Sequence, residues 1–127
     1  MAFMTEIRFV DTTLRDGQLS LWASNMTTGM ILPIVENIDR AGFEGMELLS
    51  SAFFKKAVRD LKDDLWERAR LVSRRVKHTP LRSIRSRSML AFQITPPAIG
   101  GLWLERLAAN GISELRGWLS QQSEWEE

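Results

Sequence analysis

Two segments of this 127-residue chain repeat one pattern. Ala41-Gly42-Phe43-Glu44-Gly45-Met46-Glu47 and Asn110-Gly111-Ile112-Ser113-Glu114-Leu115-Arg116 each run from a helix end through a glycine, an apolar residue, two small or polar residues and a second apolar residue to a charge. The two leading glycines lie 69 positions apart, from 42 to 111. That is about two strand-plus-helix units of roughly 35 residues, on the scale of a βαβ crossover of about 30. Strands alternating with helices at this spacing build a parallel sheet with right-handed crossovers, which makes the chain an α/β protein.

The elements follow from the chain in order. Ile7-Arg8-Phe9-Val10 alternates apolar and polar residues and predicts a short, mostly buried first strand ending at Asp11. Thr27 or Thr28 can cap a helix whose apolar face is Met30, Ile31, Ile34, Val35 and Ile38. Pro33 belongs in a first turn, so an irregular start near Thr28 and regular helix to Arg40 are expected, with Gly42 as the stop. Phe43 to Leu49 reads as the second strand, and Ser50-Ser51 as the loop after it. Phe53, Phe54, Ala57, Val58 and Leu61 share a helical face until Asp63-Asp64 interrupts it. Asp64 and Glu67 form a capping-box pattern for a helix that buries Leu65, Ala69, Val72 and Val76 and ends near His78.

Pro80 introduces a third strand, Leu81 to about Arg85, followed by the loop Arg85-Ser86-Arg87-Ser88-Met89. Pro96-Pro97 suits the first turn of a helix with Ile99, Trp103 and Leu107 as its buried stripe. Gly100 and Gly101 inside it weaken it by about 1 kcal/mol each relative to alanine. Asn110-Gly111 ends that helix, and Ile112 to Arg116 reads as the fourth strand. Residues 1–119 are expected as one domain, and 120–127 as a polar, acidic, frayed tail.

Composition excludes several classes. With 44% hydrophobic and 26% charged residues, the chain resembles an ordinary globular protein. A net charge of +1 gives no general attraction to nucleic acid or to a membrane surface. The absence of cysteine removes disulfides and thiolate metal sites. No apolar run is long enough for a membrane span, and the N-terminus lacks a basic start and apolar core, so a cytoplasmic location is the default.

Chemistry concentrates in Val10-Asp11-Thr12-Thr13-Leu14-Arg15-Asp16-Gly17-Gln18, where the first strand ends. Strand C-termini of α/β proteins open onto the face that carries loops and ligands. Asp16 is a hard oxygen donor suited to a divalent cation, and Arg15 presents a planar fork to a carboxylate or an enolate. The bland alternative is a polar turn.

The same residues, Asp11-Thr12-Thr13-Leu14-Arg15-Asp16-Gly17, resemble the opening motif of the pyruvate carboxyltransferase and HMG-CoA lyase-like superfamily of metal-dependent TIM barrels. Ser20 to Thr28, Met30-Ile31-Leu32-Pro33-Ile34 and Asp64-Leu65-Trp66-Glu67-Arg68-Ala69-Arg70 are similar to its biotin-linked branch: pyruvate carboxylase, oxaloacetate decarboxylase and transcarboxylase. The resemblance runs from about Ile7 to about Arg116 and implies a partial (β/α)8 barrel. Four parallel strands and three crossover helical regions make a half-barrel, since a complete barrel takes about 250 residues.

By the resemblance, Asp16 is a ligand of a divalent metal (Zn, Mn or Co), and Arg15 contacts substrate or stabilises an enolate. Arg85 matches a substrate arginine on the third strand, although Arg85-Ser86-Arg87-Ser88 replaces the usual Arg-Gly-Gln-Ser or Arg-Gly-Gln-Asn. Where the branch usually carries a glutamine that helps hold pyruvate stands Leu19, which leaves Gln18 as the amide candidate. The family's remaining ligands are a His-x-His pair and, in the biotin branch, a carboxylated lysine from later strands. Here the single histidine, His78, precedes the third strand at the end away from the chemistry, and no lysine follows Lys77.

Between Arg68 and Arg87 lie Arg68, Arg70, Arg74, Arg75, Lys77, Arg82, Arg85 and Arg87. A phosphate-binding patch and a solvated helix face are the two readings, and no nucleic-acid motif supports the first. The expected function is the N-terminal portion of a biotin-dependent carboxyltransferase acting on pyruvate, oxaloacetate or a related 2-oxo acid. Its partners would be a biotin carrier domain and either a second copy or a complementary barrel half. The alternatives are a C–C lyase of the same superfamily and an inactive fragment that acts only by association.

Overall fold

A computed structural model describes residues 6–85 and 96–117. Four strands form one sheet in the order of the chain: β1 (Val10–Asp11), β2 (Gly45–Ser50), β3 (Leu81–Arg85) and β4 (Glu114–Gly117). Every neighbouring pair is parallel. Three helical crossovers join them. The first contains α1 (Gln18–Trp22), α2 (Thr28–Ile31) and α3 (Val35–Arg40); the second α4 (Ser51–Lys56) and α5 (Leu65–Arg75); the third α6 (Pro97–Ala109). The fold is an α/β half-barrel. The expected domain boundary at 119 and the tail 120–127 fall outside the described residues.

The first strand is shorter and wetter than the alternation predicts. Before β1 the Phe9 carbonyl accepts from the Glu44 N–H, one residue ahead of β2, and Ile7 and Phe9 remain 76% and 69% exposed. Proline explains the next difference. Pro33 has no N–H to donate, so the expected single helix is interrupted between α2 and α3. The buried face becomes Ile31, Val35 and Ile38, while Met30 and Ile34 turn outward.

Ser50 and Ser51 form no loop. Ser50 ends β2 and at once caps α4, its hydroxyl accepting from the Ala52 N–H. A π-helical turn, Ala57–Leu61, then widens the helix and turns Val58 to solvent. Asp64 caps α5 through the Trp66 N–H, but Glu67 binds Arg70 instead of closing the capping box. Leu65, Ala69 and Val72 are buried on α5, as expected, joined by Arg68; Val76 caps the helix end, half-buried. In α6, Trp103 and Leu107 are buried, whereas Ile99, near its start, is half-exposed.

Both leading glycines of the echo are needed by the backbone, with φ of +81° at Gly42 and +91° at Gly111. A Cβ on Gly111 would also fall 2.4 Å from the Ser73 Cβ. The core lies between sheet and helices, built from Leu14, Ile31, Val35, Met46, Leu48, Leu49 and the buried helix residues. Phe54, Trp66 and Trp103 meet beside it with ring centroids 4.8–5.1 Å apart. On or next to the strands, Phe9 and Leu115 are exposed, whereas Met46 and Ile84 are buried. Met46 joins the core, and Ile84 is covered at its place in the β3–β4 ladder.

Candidate functional site

The turn after β1 is built by its own side chains. Asp11, nearly buried, accepts from the Thr13 hydroxyl at 2.7 Å and the Thr13 N–H at 3.3 Å. The Thr12 carbonyl then accepts from Arg15, Asp16 and Gly17 N–H groups, which winds Thr13–Gly17 into a π-helical turn. That turn buries Leu14 and lifts Arg15 and Asp16 at the C-terminal end of the strand.

Arg15 is held on two sides. Its Nε and Nη2 donate to Oε2 of Glu47 at 2.8 and 2.6 Å, and its Nη1 to Asp16 at 2.8 Å. Glu47 lies on β2 and is 1% exposed. Its other oxygen, Oε1, accepts from Nη1 of Arg116 on β4 at 3.2 Å. A guanidinium carries five N–H donors, so Arg15 keeps one on each terminal nitrogen. The Asp16 side chain is 54% exposed.

The strands set these positions. The ladders place Glu47, Arg82 and Glu114 in one row across β2, β3 and β4. Arg82 pairs with Glu114, and its side chain crosses Gly45, where any Cβ would strike it. Arg116, two residues beyond Glu114, reaches past β3 to Glu47. A bulge at Leu48 breaks the β2–β3 register directly after Glu47. Such bulges re-aim side chains and recur beside functional sites.

Other sequence candidates are placed differently. Gln18 is buried, and its amide is engaged at both ends by the chain: Nε2 donates to the Leu14 carbonyl and Oε1 accepts from the Met26 N–H. It therefore shapes the return of the chain after α1 and does not face open space. Arg85 ends β3, and its side chain lies outside what is described, as does the loop 86–89. Leu19 is half-exposed. Among the described residues no three carboxylates or imidazoles converge as a metal site. Asp16 alone offers one oxygen ligand, too few to hold a divalent ion tightly.

Five of the eight residues of the basic stretch make contacts within the chain. Arg68 is buried against Asp63, Thr28 and the Met26 carbonyl; Arg70 binds Glu67 and Asn110; Arg75 faces Glu36; Lys77 donates to the Arg74 carbonyl; Arg82 pairs with Glu114. Asp63 and Asp39 are both held below the ordinary carboxylate range. Burial raises each, but Arg68 and Thr28 outweigh it at Asp63, and the N–H groups of Lys77, His78 and Thr79 outweigh it at Asp39.

Glu47 and Arg116 are the site residues that motif reading missed. A signal was present: Glu47 is a lone charge among Gly45, Met46, Leu48 and Leu49, and it occupies the same place in the echo as Arg116.

No protein-family model matches the chain. Among curated proteins it is 37% identical over 111 residues to a pyruvate carboxylase subunit from Methanocaldococcus jannaschii, covering 87% of this chain and 20% of that one. It is 30% identical over 115 residues to the 2-oxoglutarate carboxylase large subunit of Hydrogenobacter thermophilus, covering 90% and 18%. The chain thus spans about one fifth of the length of these relatives. The carboxyl transferase domain of Rhizobium etli pyruvate carboxylase, solved with pyruvate, superposes with a TM-score of 0.80 at 26% identity, over 88% of this chain and 19% of that one. Over nearly its whole length the chain is similar to members of the pyruvate carboxyltransferase superfamily. Its four parallel strands resemble the N-terminal part of that superfamily's barrel, with the Arg15 turn at the C-terminal end of the first strand. Among the described residues no helix is long and apolar enough to cross a membrane.

Proposed function

We propose that this chain forms the N-terminal portion of a biotin-dependent carboxyltransferase-type enzyme acting on pyruvate, oxaloacetate or a related 2-oxo acid. The observation that carries the reading is the Arg15 guanidinium, fixed by Glu47 and Asp16 with an N–H left on each terminal nitrogen. A planar fork with two spare donors matches a carboxylate, or the oxygen of an enolate as charge develops on it. Arg85 is the second proposed substrate contact. Asp16 is the proposed metal ligand, with the rest of the ligand set supplied from outside the described residues.

A second reading is favoured by the sheet edge. β4 is mostly exposed, Leu115 is 40% exposed, and among the described residues no strand pairs with its outer side. Unpaired strand edges, with their open N–H and C=O groups, recruit other strands. We infer association with a complementary barrel half or a second copy, so the isolated chain should sediment as a dimer or larger species; a cooperative monomer at micromolar concentration refutes this.

The direct test uses the purified chain. It should not decarboxylate oxaloacetate or bind zinc or manganese tightly. Oxamate, a stable 2-oxo acid mimic, should bind weakly, and Arg15→Ala should abolish that binding. Oxamate binding that survives Arg15→Ala overturns the reading of Arg15. Micromolar metal affinity lost in Asp16→Ala would show a ligand set completed within the chain or its assembly.

A further inference from the structure

We propose that Arg116, two strands away from the motif, is a positioning residue that sets the orientation of Arg15 through the buried carboxylate of Glu47. The inference rests on the reading of Arg15 as a carboxylate fork but makes its own claim about what holds the fork. β2 and β4 are separated by β3, hence by about 10 Å. Arg116 nevertheless spans that gap and binds Oε1 of Glu47 at 3.2 Å.

The consequence lies in which oxygen is left. With Oε1 occupied, Arg15 meets Glu47 along one edge, Nε and Nη2 on the single oxygen Oε2. A carboxylate with both oxygens free prefers the bidentate arrangement, two parallel N–H···O bonds to two oxygens. Arg116 thus competes for Oε1 and biases Arg15 towards the single-oxygen contact on Oε2. It also supplies a second positive charge to a carboxylate that is 1% exposed and would be costly with a single partner. Arg82 cannot take over this task, because it is paired with Glu114. The side chain of Arg116 is 57% exposed, so it bridges the buried glutamate and the open side of the sheet.

The echo in the sequence points the same way. Glu47 and Arg116 occupy equivalent places in the two repeats and carry opposite charges, and the structure joins them across the 69 positions that separate the repeats. The second repeat therefore supplies more than a strand to the wall: it completes the setting of the first turn's arginine.

The experiment reads Arg15 itself. In the full chain, 15N-edited spectra report each arginine Nε–H, and Arg15→Lys assigns the Arg15 signal. Arg116→Ala should shift that signal, speed its exchange with water, and weaken oxamate binding about fivefold to tenfold, the low end of typical coupling between sites. Arg116→Lys, which keeps the charge, should return the signal part-way towards that of the unaltered chain. Arg40→Ala, at an exposed arginine in the last turn of α3, should leave it in place. An Arg15 signal unchanged in Arg116→Ala, or moved equally by Arg40→Ala, overturns the proposal. If Arg116→Ala does not fold, Arg116→Gln is measured in its place with the same two outcomes. Should oxamate fail to bind the unaltered chain, the substrate reading of Arg15 falls, while the Nε signal still decides the positioning role.

Discussion

Arg15 and Arg68 both sit against carboxylates inside the chain, and they are held for different purposes. Arg68 lies on α5 with its side chain 2% exposed. Its Nε donates to the Thr28 hydroxyl, and its Nη2 to Asp63 and the Met26 carbonyl. Asp63 in turn accepts from the Thr28 N–H at 2.8 Å. The cluster ties the chain after α1 to the start of α5 and closes on itself. Arg15 is 14% exposed, shares a buried glutamate with a second arginine, and ends on the half-exposed Asp16. One arginine ends on protein atoms in the interior; the other shares its carboxylate with Arg116 and reaches a half-exposed aspartate. What separates the two is how far their carboxylate partners lie from solvent, 16% exposed at Asp63 and 54% at Asp16.

Removing Arg68 should break the comparison most visibly. Arg68→Ala leaves the Asp63 charge without its cation and the Met26 carbonyl without its donor, and opens a cavity, so about 3–5 kcal/mol of stability should be lost. Urea unfolding followed by circular dichroism measures it; a loss below about 1 kcal/mol would mean that the cluster is no lock.

Asp63→Asn is the next largest, at about 1–3 kcal/mol near neutral pH. It also carries a pH signature. Asp63 is held below its ordinary value of 3.8, so its contribution is full above that value in the unfolded chain and is lost as pH falls through the lower, folded one. Below about pH 4 stability should therefore fall less in Asp63→Asn than in the unaltered chain, with Asp39 and Asp60, also held low, contributing to the remaining slope.

Arg15→Ala should cost less, about 1–2 kcal/mol, because Arg116 still faces Glu47 and the vacated space opens to water. A loss equal to that of Arg68→Ala would make Arg15 a second lock. Smallest of all should be Asp16→Asn, below about 0.5 kcal/mol, since its partner is gained at a half-exposed surface pair. That small effect sharpens the contrast: a residue at the centre of the motif contributes almost nothing to the fold. Thermal unfolding of Asp16→Asn beside the unaltered chain is sufficient to check it.

The difference in legibility follows the same line. Asp16 and Arg15 could be picked out because their chemistry is local: a strand end, an Asx-type turn at Asp11 and Thr13, and two charged residues in sequence. Gln18 looked equally available, yet its amide closes onto Leu14 and Met26, a choice made by how the chain returns after α1. Met30 and Ile34 fitted an apolar stripe that Pro33 broke, so local proline chemistry outranked periodicity.

Order, direction and punctuation of the elements were written in the chain itself, because apolar period, prolines and the two glycines at 42 and 111 act over a few residues at a time. The pairing of charges was decided only by the folded sheet. Glu47 and Arg116 are 69 residues apart, and each alone reads as an isolated charge in a strand. Parallel register and the bulge after Glu47 bring them within reach of one another and of Arg15. Sequence patterns report what a residue does to its neighbours along the chain, while a buried carboxylate is satisfied by whatever the register sets beside it.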